Sequence, residues 1–234
     1  MSLLILLLAL AVPAIATAEV PAKYEEIFKK LKAVRIVHPC DKPVRKVERL
    51  GDNTISLESF VCMDADFAMF KKIVGDIDHY DAWLLDKMNE KPDGGTYFIK
   101  FTSLQTTPEP SIKLGYRIDI PFFKKEKVKT FKVRTESEKG IFILSGEGVE
   151  DPESYLHFAR STMYAFPAPG QPHEIWVYVE GKTKLKNSLL YQAMPEKMLK
   201  TEAGDRVGKI LENYQAREAA IAASSPAKSS PAPK

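Results

Sequence analysis

Histidine occurs only four times in 234 residues, cysteine twice and tryptophan twice. The chain has no Gly-x-Ser-x-Gly, no His-Glu-x-x-His and no Gly-rich phosphate loop. Motif-borne hydrolysis, zinc proteolysis and nucleotide chemistry are therefore not the starting expectation. His38 stands near Cys40, but no second ligand pair follows at zinc-like spacing, so neither a metal nor a cofactor is expected. Charge of one sign is lacking too: 34 basic residues face 31 acidic ones, for a net charge of +3. Nucleic acid is not expected as a partner, because phosphate neutralisation needs a concentrated basic face. Two local basic clusters, residues 29–35 and 122–129, are read as solvated helix and hairpin surface, with peripheral contact to an anionic membrane as the sharper alternative.

The first apolar run, Leu3 to Val12, is shorter than the roughly 20 residues a bilayer-spanning helix takes. Pro13 and small residues follow it, and Ala16-Thr17-Ala18 has the small-x-small form of a signal-peptidase site. No Lys or Arg precedes the run, so the amino terminus supplies its positive charge. Residues 1–18 read as a cleaved signal peptide, which places the mature protein in the periplasm or outside the cell; an uncleaved anchor is the alternative. In such an oxidising compartment Cys40 and Cys62 invite a disulfide, worth on the order of 3 kcal/mol for a loop of that size. Two separate buried thiols remain the other reading.

Residues 19–52 form an N-terminal extension. Tyr24, Ile27, Phe28 and Leu31 stand at helical spacing after Pro21, and a breaker-rich stretch with Pro39, Pro43 and Gly51-Asp52-Asn53 follows. Residues 223–234 are Ser, Pro, Ala and Lys with nothing to bury, a disordered tail. Residues 53–222 hold one domain. A strand over 55–63 leads to a helix for which Asp64 has the type of an N-cap, with Phe67, Phe70, Ile73 and Val74 on one face. After Gly94-Gly95 the period changes to two. The alternation is clearest where Ile112, Leu114, Tyr116, Ile118 and Ile120 oppose Lys113, Gly115, Arg117 and Asp119. Four further strands are read at 128–137, 140–149, 155–166 and 174–185. The last element is a long helix from Pro195 with a stripe of Leu199, Ala203, Val207, Ile210 and Tyr214.

Between first strand and sheet lies DADFAMFKKIVGDIDHYDAWLL, in which Val74, Asp76, Tyr80 and Trp83 make a v-x-D-x-x-x-Y-x-x-W corner. With the order of elements, this stretch resembles the START-like superfamily, the helix-grip fold of lipid-transfer domains, birch-pollen-type allergens and polyketide cyclases. The resemblance covers roughly residues 53–220. It implies an α+β fold: a curved antiparallel sheet of about seven strands around a long C-terminal helix, with two short helices after the first strand. Asp76, Asp78 and Asp81 then act as caps and turn formers, and His79, a single imidazole, is no catalyst.

Such a fold can leave an apolar cavity between sheet and last helix. Its lining is expected from Tyr97, Ile99, Phe101, Leu114, Tyr116, Ile118 and Trp176 on strands, Val207 and Tyr214 on the helix, and Trp83 at the corner. Each serves equally as plain core. Arg160, on the parity of Leu156 and Phe158, is expected to hold a ligand's anionic or carbonyl group. The leading expectation is an exported, monomeric protein that binds a lipid or other hydrophobic small molecule. A cyclase or aromatase using the same cavity, and a filled-core protein acting through its surface, are the alternatives.

Overall fold

The computed structural model describes residues 20–37, 40, 43–90, 97, 99–120, 123–193 and 196–224. The expected leader, the Gly94-Gly95 break, Pro195 and the tail from residue 225 lie outside them, as do the side chains of Leu199 and Ala203.

A 3₁₀ turn (Ala22–Tyr24) leads into α1 (Glu25–Val37), and β1 (Val44–Leu50) and β2 (Thr54–Asp64) follow. Next come α2 (Phe67–Gly75) and a second 3₁₀ turn (Ile77–Ala82). Six more strands then run in series: β3 (Ile99–Thr107), β4 (Ser111–Ile120), β5 (Phe123–Glu138), β6 (Ile141–Gly148), β7 (Leu156–Pro167) and β8 (Glu174–Leu185). A short α3 (Ser188–Ala193) precedes the long α4 (Glu196–Ser224). The strands form one antiparallel sheet in the order β1-β2-β8-β7-β6-β5-β4-β3. This is the expected α+β, helix-grip arrangement with eight strands instead of seven.

The added strand is β1, which the sequence reading left in a breaker-rich extension. Its seven residues VRKVERL hold only three apolar side chains among four charges, so no period-two signal stands out. The turn Gly51-Asp52-Asn53 closes a hairpin, with Asp52 and Asn53 at positive φ, a region both residues tolerate better than most. The sheet therefore begins at Val44, ahead of residue 53. At the opposite edge, the Asn89 amide exchanges two hydrogen bonds with the backbone of Phe101, at 2.6 and 2.9 Å.

At the start of α2 it is Asp66, not Asp64, whose side chain caps the helix, accepting from the Met69 amide at 2.7 Å. Asp64 instead pairs with Glu174 as the last residue of β2.

Both faces of the sheet carry apolar side chains. On one, Val61, Met63, Phe142, Ala165, Ile175 and Val177 pack with Phe70, Ile73 and Val74 of α2 and Tyr214 of α4. Leu104, on the far edge strand β3, joins the same cluster, which requires the sheet to curl around the helices. On the other, Phe60, Cys62, Ile141, Ile143, Phe166, Trp176 and Tyr178 are covered by Tyr24, Ile27, Phe28, Leu31 and Val34 of the N-terminal segment. Leu31 is 1% exposed. Arg35 ties this cover to the sheet by donating two hydrogen bonds to the Glu174 carboxylate at 3.1 and 3.2 Å, and Cys40 does so through its disulfide to Cys62, with Cα atoms 4.7 Å apart. Trp176 Nε1, on the same strand as Glu174, also donates to that carboxylate at 2.7 Å.

Two outcomes follow. Reducing the disulfide, which closes a separation of 22 residues, lowers the unfolding free energy by about 3 kcal/mol; urea denaturation with and without reductant measures it. The Arg35 guanidinium, and then burial and the Trp176 hydrogen bond acting in opposite directions, leave the Glu174 carboxyl below its ordinary range. A carboxyl depressed in the folded state stabilises above its unfolded pKa of about 4.3, and that contribution is lost as pH falls below this value. Glu174→Gln should flatten this part of the acid-denaturation profile, and an unchanged profile would refute the link.

Candidate ligand-binding site

The corner DIDHYDAWLL builds the closed end of the α4 face. The Tyr80 hydroxyl donates to the Val74 carbonyl, and its ring meets Trp83 edge-on with centroids 5.6 Å apart. Burial pushes the Tyr80 phenol well above its ordinary pKa. Asp76 accepts from His79 Nδ1 at 2.7 Å at the surface of the molecule, where the imidazole side chain is 62% exposed and its pKa is raised by that hydrogen bond. Those two residues therefore pair in solvent and not within the buried cluster.

Nine of the eleven residues expected to line a site lie on the α4 face or against α4, as follows. Trp83, Leu114, Val207 and Tyr214 meet in the cluster around Phe70. Ile99, Phe101, Tyr116 and Ile118 belong to a second cluster on the same face, with Leu185, Leu156 and Tyr191. A bulge between Phe101 and Ser103 lets Ile99 and Phe101 share a face with Leu104 despite their opposite parity. Tyr97, 1% exposed, lies under the Arg206 guanidinium of α4, 4.6 Å from the ring centroid. Arg206 also covers Phe101 and donates to the carbonyls of Met88 and Ile99. Asn213, two turns further, donates to the carbonyls of Leu84 and Asp86 at 3.1 and 2.6 Å. Ile210 of the expected stripe is 39% exposed instead, and Gly208 has no described atom within 4 Å of an added Cβ.

Two expectations are corrected. Trp176 pairs with Cys62 and Phe166 across the strands and faces α1, stacking beside Phe28 at 5.6 Å. Arg160 also faces that side: a register shift between Leu156 and Phe158 breaks the parity that tied it to Leu156. It lines an outer groove of about 450 Å³ with Lys46, Glu48, Glu58, Glu180 and Lys182, to which Ser161 and Gly181 also contribute. Charges of both signs make that groove a poor match to an apolar ligand.

Between the two clusters on the α4 face the central strands carry small residues: Gly146, Ser161 and Gly181 follow one another across β6, β7 and β8, with Val133 on β5 and Leu57 on β2 at the ends of the row. A Cβ added at Gly146 would meet only Ser161 among the described residues, and one at Gly181 only Arg160 and Ser161, both of the sheet itself. Ser161 is exposed although three strands flank it on one side and four on the other, and it also borders the outer groove beside Arg160. Near this strip lie side chains that sequence reasoning passed over. Lys129, taken as part of a solvated basic cluster, is 0% exposed, whereas its neighbour Val128 is 50% exposed. Ser59 is 1% exposed. The Lys129 ammonium and the Ser59 hydroxyl have no hydrogen-bond partner among the described residues, nor do Nε and Nη2 of Arg49, whose guanidinium stacks on Tyr191. The signal for Lys129 was its parity, shared with Phe131 and Val133.

The sulfurs of Cys40 and Cys62 lie near the Glu174 carboxylate, but the disulfide withdraws both thiolates from metal binding.

No family model matches this chain, and no curated protein does. Solved structures similar to it include the human StarD13 lipid transfer and protein localization domain, at 15% identity and TM-score 0.43, covering 81% of this chain and 96% of that one. A STAR-related lipid transfer protein from Xanthomonas axonopodis is similar at 12% identity and TM-score 0.46, over 78% of this chain and 96% of that one. The Zhui aromatase/cyclase of a Streptomyces species is similar at 9% identity and TM-score 0.43, over 72% and 96%. None of these similarities assigns a role to a residue of this chain.

Proposed function

We propose that this protein binds a lipid or other hydrophobic small molecule on the α4 face of its sheet, between the Phe70 and Tyr116 clusters. The observation that carries this reading is a row of small residues: Gly146, Ser161 and Gly181 stand side by side in mid-sheet, on the face the long helix covers. Apolar walls at both ends and little side chain between them have the form of a small-molecule pocket. The absence of a nucleophile with its base in the sequence favours binding over turnover.

The protein acts, in this proposal, after export. The apolar leader and the disulfide both suit an oxidising compartment.

Native mass spectrometry of the mature protein from its own compartment, followed by organic extraction, should find a stoichiometric hydrophobic species. A clean apo mass that also refuses fatty acids, phospholipids and sterols overturns the reading and leaves a packed core with a surface function. Val207→Trp, which enlarges an α4 side chain packed on the Phe70 cluster at one wall of the site, should weaken binding of an extracted ligand at least about tenfold with the fold retained, whereas Arg160→Ala on the outer face should leave it unchanged. Titration by fluorescence displacement, with circular dichroism as the fold control, distinguishes the two.

A further inference from the structure

We infer that the ligand of this site is an amphiphile with an anionic oxygen-acid head, and that Lys129 is the cation that receives the head. The inference rests on the binding reading above and names its ligand class. Lys129 pairs with Leu114 in the sheet, which puts it on the α4 face. Its side chain runs across Gly148 toward β7: a Cβ at Gly148 would lie 2.9 Å from Lys129 Cε and 3.3 Å from the Ala159 carbonyl oxygen. The glycine leaves the space the lysine chain occupies, and the chain leads to the edge of the open strip. The ammonium at its end is buried and has no hydrogen-bond partner among the described residues.

An ammonium taken out of water without a counter-charge is costly, and an apolar side chain of the same length would be the more stable choice at a purely structural position. Burial pushes the Lys129 ammonium below its ordinary pKa; Asp151 and Glu150 act on it only at a distance. A carboxylate or phosphate arriving with the ligand supplies the missing charge and accepts the unmade hydrogen bonds. The neighbours Leu114 and Phe131 accept the apolar body that such a head carries.

The test uses the mature chain with three probes: oleate, oleyl alcohol and 1-oleoyl lysophosphatidate. Wild-type protein should bind at least one of the two anions about tenfold or more tighter than the alcohol. In Lys129→Met that gap should close while affinity for the alcohol stays within about twofold, and Lys129→Arg should keep most of it. Which anion shows the gap separates a carboxylate from a phosphate head. Equal affinity of alcohol and anions for wild type, or a gap that survives in Lys129→Met, overturns the inference and leaves the apolar site standing. Refusal of all three probes by wild type removes both. Should Lys129→Met fail to fold, lysine Cε resonances of the wild type, assigned through Lys129→Arg, decide: one of them shifts on adding the anion and not on adding the alcohol, or the inference falls.

Discussion

The centre of the sheet is buried on both sides, and the rest of the molecule follows from that. In β8 the run Ile175, Trp176, Val177 and Tyr178 is buried without a break, and β6 repeats it with Ile141, Phe142 and Ile143. A strand that is apolar at every position needs a layer on each face. One layer is the long C-terminal helix with α2. The other is α1, a helix of 13 residues, shorter than an isolated helix usually needs to be stable in water. It is fixed by the disulfide and by the Arg35–Glu174 pair, so the covalent link serves a packing requirement and not a site.

What the sequence made readable was what local rules control. The alternation of Ile112 to Ile120 gave β4, and the element order gave the grip around the last helix. Strand pairing decided the rest. One register shift at the start of β7 turned Arg160 outward, and parity alone could not separate the two buried faces of β8, so Trp176 was assigned to the wrong side. The same uncertainty hid Lys129: a lysine among FFKKEKVK looks solvated until Leu114 is known to lie beside it. β1 escaped because a charged edge strand lacks the apolar rhythm by which strands are recognised.

The site itself combines rigid walls with an unusual fastening. α4 is held at its middle by side chains that reach backbone carbonyls, Arg206 to Met88 and Ile99, Asn213 to Leu84 and Asp86. Apolar contact comes from the same turns: Val207 packs on the Phe70 cluster and the Tyr214 ring lies 5.4 Å from that of Phe70. The helix is thus positioned by directional bonds and by burial together. Across the small-residue strip between the two clusters the sheet's own side chains do not fill the space.

The two ends of the sheet are finished in different ways. β1 presents Arg45, Lys46, Glu48 and Arg49 within seven residues. β3 has backbone groups of Phe101 and Ile99 already taken by Asn89 and Arg206. An extended segment of another molecule would have to bury charge at one margin and displace side-chain amide and guanidinium bonds at the other. The sheet therefore discourages its own extension: among the described residues, a ninth strand laid on by a neighbouring copy would meet charge at one margin and occupied backbone groups at the other.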